Sequence, residues 1–65
     1  MNDYNYGDLT PGEFVINEEK KEEWGLGQVQ SSIDNKITIN FENVGKKIIN
    51  PDKVKLKIIK ILFII

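Results

Sequence analysis

Hydrophobic and polar positions alternate over the middle of the chain. Val29, Ser31 and Ile33 fall on one side of an extended segment, and Gln28, Gln30 and Ser32 on the other. Ile37, Ile39 and Phe41 recur at every second position, with Thr38 and Asn40 between them. The two runs bracket Asp34-Asn35, and both residue types tolerate the left-handed conformation, so a β-hairpin with a two-residue turn is predicted. Upstream, Pro11-Gly12 marks a turn and Glu13–Asn17 reads as a short strand, with Val15 inward and Phe14 and Ile16 on the opposite face. Downstream, Glu42-Asn43-Val44-Gly45 forms a turn with Gly45 at the positive-φ position, and Lys46–Asn50 is the next arm. Asn50-Pro51-Asp52 breaks that arm as one short helical turn. Val54-Lys55-Leu56-Lys57-Ile58 then alternates again.

Two readings stand for the last stretch. Isoleucine and valine are stiff at χ1 and favour a strand from Val54 to about Ile59, which is the preferred reading. Asn50-Pro51 is also a competent helix start, which would put Val54, Ile58, Ile61, Leu62 and Ile65 on one helical face. Between the first strand and the hairpin lie a charge run, Glu18–Glu23, and the stretch Trp24-Gly25-Leu26-Gly27-Gln28-Val29. The charge run reads as a solvated loop and is compatible with one turn of helix. The glycine-flanked leucine after a tryptophan reads as a sharp approach to a strand, with the glycines allowing another backbone or ring to pack close. The rest of the chain is organised around this stretch.

Five short strands in this order are the pattern of an all-β protein, a small five-stranded SH3-like or Tudor-like barrel. Residues 11–58 would form it, residues 1–10 a polar arm with Tyr4 and Tyr6, and residues 59–65 an apolar tail. The tail either folds back over the barrel or leaves an apolar edge through which two copies pair.

Composition narrows the chemistry. With 65 residues the chain is a single domain near the lower limit for folding on core burial. It has no cysteine and no histidine. It therefore lacks a disulfide, a thiolate metal site, and the commonest general base and metal ligand. Ser31 and Ser32 have no base to activate them, so the chain reads as not an enzyme, with no cofactor. The acidic run lacks the ligand spacing and turn glycine of a calcium loop. The net charge of −1 hides an asymmetry: residues 1–23 hold seven acids against Lys20 and Lys21, and residues 24–65 hold seven lysines against three acids. Either the halves lie together and attract, or the imbalance marks a partner surface. All nine basic residues are lysine, although arginine is the better fork for phosphates and base edges. No apolar run approaches the ~20 residues of a spanning helix. The polar, acidic N-terminus has no signal-peptide pattern, so a cytoplasmic location is expected.

Pro11-Gly12-Glu13-Phe14-Val15, then Trp24–Val29, then Lys36–Phe41, then Asn43-Val44-Gly45-Lys46-Lys47-Ile48-Ile49 together resemble a family of small bacterial proteins. That family is a domain of unknown function with a WGxGQV…FxxxGxK pattern. The pattern is similar to the Tudor-like C-terminal domain of UvrD/PcrA-type DNA helicases. It is more remotely similar to the RNA-polymerase-interacting domain of CarD-type transcription factors. Asn17 stands where the helicase pattern carries a histidine. The resemblance covers about residues 11–56 and implies protein partners, RNA polymerase or a helicase among them. The positions it carries over, Gly12, Gly25, Gly27 and Gly45, are architectural.

Two functions are weighed. The first is a non-catalytic protein-interaction module whose partner-binding rim is Trp24, Leu26, Gln28, Lys46 and Lys47. Trp24 is either an interface anchor or a lid over the core. The alternative is a nucleic-acid-binding barrel using one basic surface of Lys46, Lys47, Lys53, Lys55 and Lys57, which the acidic segment opposes.

Overall fold

The hairpin forms where the alternation placed it. In the computed structural model, which describes residues 9–60, Asp34 and Asn35 hold φ of 51° and 64°. This is the pair of left-handed conformations that lets a two-residue turn follow the strand twist. The turn joins β2 (Gly27–Ile33) to β3 (Lys36–Phe41). A short β1 (Phe14–Asn17) precedes them, and β4 (Gly45–Ile49) and β5 (Leu56–Ile59) follow. The five strands make one antiparallel sheet in the order β4-β3-β2-β1-β5. The charge run contributes one helical turn, α1 (Lys21–Trp24). The buried Asn17 closes the turn that leads into it: its side-chain Oδ1 accepts the Glu19 N–H at 3.0 Å and its carbonyl accepts the Lys20 N–H at 3.1 Å.

The last strand is a strand and not a helix, but it begins at Leu56. Val54 lies in the preceding bend and still packs against the core. Before it, Asn50-Pro51-Asp52 forms a turn in which the Asn50 carbonyl accepts the Lys53 N–H and its side chain accepts the Asp52 N–H.

Residues directly opposed on antiparallel strands project to the same face, so the register sorts the side chains. The inner face carries the core: Leu9, Val15, Val29, Ile37, Ile39, Phe41, Ile49 and Leu56, with Trp24, Val54 and Ile58 against it. Leu9, at 3% exposure, belongs to this core although the sequence reading assigns it to the N-terminal arm. Residues 1–8 of that arm, with Tyr4 and Tyr6, and the apolar residues 61–65 lie outside the described residues. The outer face carries one row that crosses all five strands: Ile59, Phe14, Gln28, Asn40 and Lys46.

One expectation from the alternation fails. Val29 opposes Ile39, but Ser31 opposes Thr38, leaving Gln30 as an extra residue in a β-bulge. A bulge adds one residue to one strand and reverses the parity of everything after it. Ser32 therefore takes the inner side opposite Ile37, and Ile33 turns outward opposite Lys36 with 65% of its surface exposed. Val29, Ser31 and Ile33 do not share a face.

Candidate interaction site

The segment Trp24-Gly25-Leu26 is zipped to the turn that follows β3. The Trp24 carbonyl accepts the Asn43 N–H at 3.0 Å and the Leu26 carbonyl accepts the Glu42 N–H at 2.9 Å. The Glu42 carboxylate accepts the Leu26 N–H at 2.7 Å, and the Asn43 side-chain amide donates to the Glu22 carbonyl at 3.4 Å. This approach depends on Gly25. Its φ of 76° lies in the left-handed region, and a Cβ there would stand 2.8 Å from Glu42 Oε1 and 2.9 Å from Asn43 Nδ2. Gly27 serves the other side. A Cβ on it would meet Ile39 Cγ2 and Phe41 Cε1, each at 2.6 Å. The strand at Gly27 therefore lies directly on the inner-face side chains of β3.

The five rim residues named from the sequence separate into two groups. Trp24 and Lys47 form one. The Trp24 ring meets Phe41 edge-on, with centroids 5.0 Å apart, and Lys47 Nζ lies 5.1 Å from the Trp24 ring centroid. Trp24 is half-buried and covers the end of the core, with the ammonium over its π-face. Leu26, Gln28 and Lys46 belong to the outer side. Leu26 and Gln28 line an open depression of about 370 Å³ together with Phe14, Gly27, Asn40, Phe41, Glu42 and Gly45. Lys46 follows Asn40 in the same cross-strand row. Gln28 is braced at its back, where its amide donates to the Gly12 carbonyl at 3.4 Å.

Phe14, Asn40, Phe41 and Glu42 line this depression and were not among the site residues expected from the sequence. Phe14 and Asn40 sit at outward positions of their own alternations, but only the bulge at Gln30 sets Asn40 opposite Gln28, and no turn signal aligns Phe14 with either.

The lysines of the alternative reading are spread over the two edge strands and the segment that joins them, where Lys53 and Lys55 lie. Lys46 and Lys47 lie on β4 and Lys57 on β5, the two opposite edges, and Lys46 and Lys47 themselves face opposite sides. The acidic and basic halves lie side by side, with β1 between β2 and β5. Among the described residues the one ion pair within 4.0 Å joins Lys20 to Glu23 within the acidic segment.

The comparison with known families covers almost all of the described residues. A family model described as protein of unknown function (DUF3553) matches residues 9–59. The chain belongs to this family. No curated protein and no solved structure matches the chain. The DUF3553 match begins at the buried Leu9 and ends at the last residue of β5, so it spans the core residues found among the described residues and all five strands. Among the described residues the DUF3553 domain has no group of acidic, histidine or cysteine side chains arranged to hold a metal ion. It also has no helix long and apolar enough to cross a membrane.

Proposed function

We propose that this DUF3553 domain is a non-catalytic protein-interaction module that docks a partner on the outer face of its sheet. The observation that supports the reading is the depression between Phe14, Leu26, Gln28, Asn40 and Glu42, which joins half-buried apolar groups to exposed amides beside Lys46. Small-molecule sites are usually deep and enclose most of their ligand, whereas an open, mixed surface suits a side chain presented by another protein. The backbone zipper around Gly25 and Glu42 keeps one wall of the depression in place, so little ordering is needed on binding. The partners implied by the helicase and CarD-type resemblance are RNA polymerase or a UvrD/PcrA-type helicase, components of transcription or DNA repair in the cytoplasm.

The test is direct capture of purified RNA polymerase and purified helicase by the immobilised domain, before and after nuclease treatment. Replacing the exposed pair Gln28 and Asn40 by arginine fills the depression without entering the core. It should weaken capture about tenfold or more, a change of ~1.4 kcal/mol or above. Undiminished capture by that variant moves the contact elsewhere, and capture that disappears with nuclease points to nucleic acid as the ligand.

A further inference from the structure

β4 ends the sheet on one side. Gly45–Ile49 pairs with β3 through five residue pairs from Ile37–Ile49 to Phe41–Gly45, and no strand lies beyond it among the described residues. An edge of this kind presents backbone N–H and C=O groups to whatever strand arrives.

The side chains along this edge are selective. Lys46 projects to the outer face opposite Asn40, and Lys47 to the inner face opposite Ile39, so a cation stands on both sides of the strand. Neither ammonium has a carboxylate within 4.0 Å among the described residues, and Lys47 is steadied over the Trp24 ring. Ile48, next along, is 69% exposed. A second copy of β4 paired about Lys47 would bring lysine to lysine, and like charges facing each other across strands are unfavourable. The edge is thus electrostatically open to an acidic strand.

We infer that the β4 edge accepts an acidic, extended segment of a partner protein as an added antiparallel strand. Neighbouring residues of a strand point to opposite faces. Two consecutive acidic residues therefore answer Lys47 and Lys46 together, one on each side of the sheet, and an apolar residue just before them answers Ile48. Backbone hydrogen bonds would supply most of the affinity, and the charges would set the register. The inference rests on the interaction-module reading and adds to it the chemistry of the partner. Nucleic acid fits this surface less well. A phosphate backbone cannot complete a β-ladder, the two lysines face opposite sides, and exposed Ile48 would be left uncovered.

The experiment uses three capped peptides on the intact chain: TIEEVT, TIKKVT, and TIEEVT with alternate backbone nitrogens methylated. Affinity is read by calorimetry and the contact surface by amide chemical shifts. TIEEVT should shift and protect the amides of Gly45–Ile49, and TIKKVT should bind at least about tenfold more weakly. The methylated peptide, unable to donate along its edge, should not bind. Lys46→Glu, an exposed change that leaves the Lys47–Trp24 contact in place, should abolish the preference for TIEEVT over TIKKVT while the tryptophan fluorescence stays unchanged. Equal binding of the methylated peptide overturns strand addition. Shifts confined to Leu26, Gln28 and Asn40 overturn the edge but leave the outer-face reading standing, as does protein capture in the absence of any peptide binding. An oligothymidine that perturbs β4 while TIEEVT does not overturns the inference in favour of nucleic acid. Loss of both peptide binding and protein capture overturns both readings.

Discussion

The two ends of β2 are held by different means. At its beginning, Gly27 is buried with two inner-face side chains at the distance where its own Cβ would stand, and the preceding residues are hydrogen-bonded to Glu42 and Asn43. Close packing and a backbone zipper specify every atom there. At its end, past the bulge at Gln30, Ser31 and Ser32 are half-buried and Ile33 is exposed. What holds that end is the left-handed pair Asp34-Asn35 and the ladder to β3. The difference shows how a small sheet divides its tasks. One end of the strand is anchored by shape and admits no change in volume. The other is positioned by turn conformation and tolerates side-chain change.

That contrast is broken most severely at Gly27. Gly27→Val inserts a branched side chain where Ile39 and Phe41 already lie. Overpacking costs ~1–3 kcal/mol and occasionally more. With two neighbours overlapped, about 3 kcal/mol is expected, comparable to the whole stability of a chain this small. Thermal unfolding followed by circular dichroism should show the transition lowered by about 15 °C or lost. A melting temperature within a few degrees of wild type would contradict the close approach of β2 to β3.

Removing one strut of the zipper is milder. Glu42→Ala deletes the acceptor of the Leu26 N–H but leaves the backbone bond from Glu42 to Leu26 intact. An exposed bond of this kind contributes about 1 kcal/mol. The urea midpoint should fall accordingly, and amide exchange should rise first at Leu26. A variant with unchanged exchange there would mean that the carboxylate does not hold the turn.

The smallest effect belongs to the far end. Ile33→Thr replaces an exposed side chain on the outer face and should change stability by less than ~0.5 kcal/mol. A loss of 1 kcal/mol or more in urea unfolding would place Ile33 in the core and remove the bulge.

Much of the fold was readable in the chain. The Pro11-Gly12 turn, the alternation of Ile37, Ile39 and Phe41, the Asp34-Asn35 turn, the glycine at position 45 and the Asn50-Pro51 break located all five strands to within two residues. These are local signals, carried by neighbouring residues and by the conformations that Asn, Asp and Gly tolerate. The site was readable only in part. Leu26 and Gln28 were named with Trp24, Lys46 and Lys47 as one rim, whereas the depression joins the first two to Phe14, Asn40 and Glu42, and Trp24 pairs with Lys47 on the other side of the sheet.

The sequence by itself therefore determined the β class, the order and approximate bounds of the strands, the turn chemistry, and the absence of the histidine and cysteine that commonly carry catalysis. Tertiary structure alone decided the register. Whether Gln30 is a regular strand residue or a bulge depends on what β3 offers across the ladder, and one extra residue there sends Ile33 outward. The same holds for the meeting of Gly25 with Glu42 and for the outer row from Ile59 to Lys46. Contacts between residues far apart in the chain are chosen by packing and hydrogen-bond pairing between strands, and no local pattern encodes which partner wins.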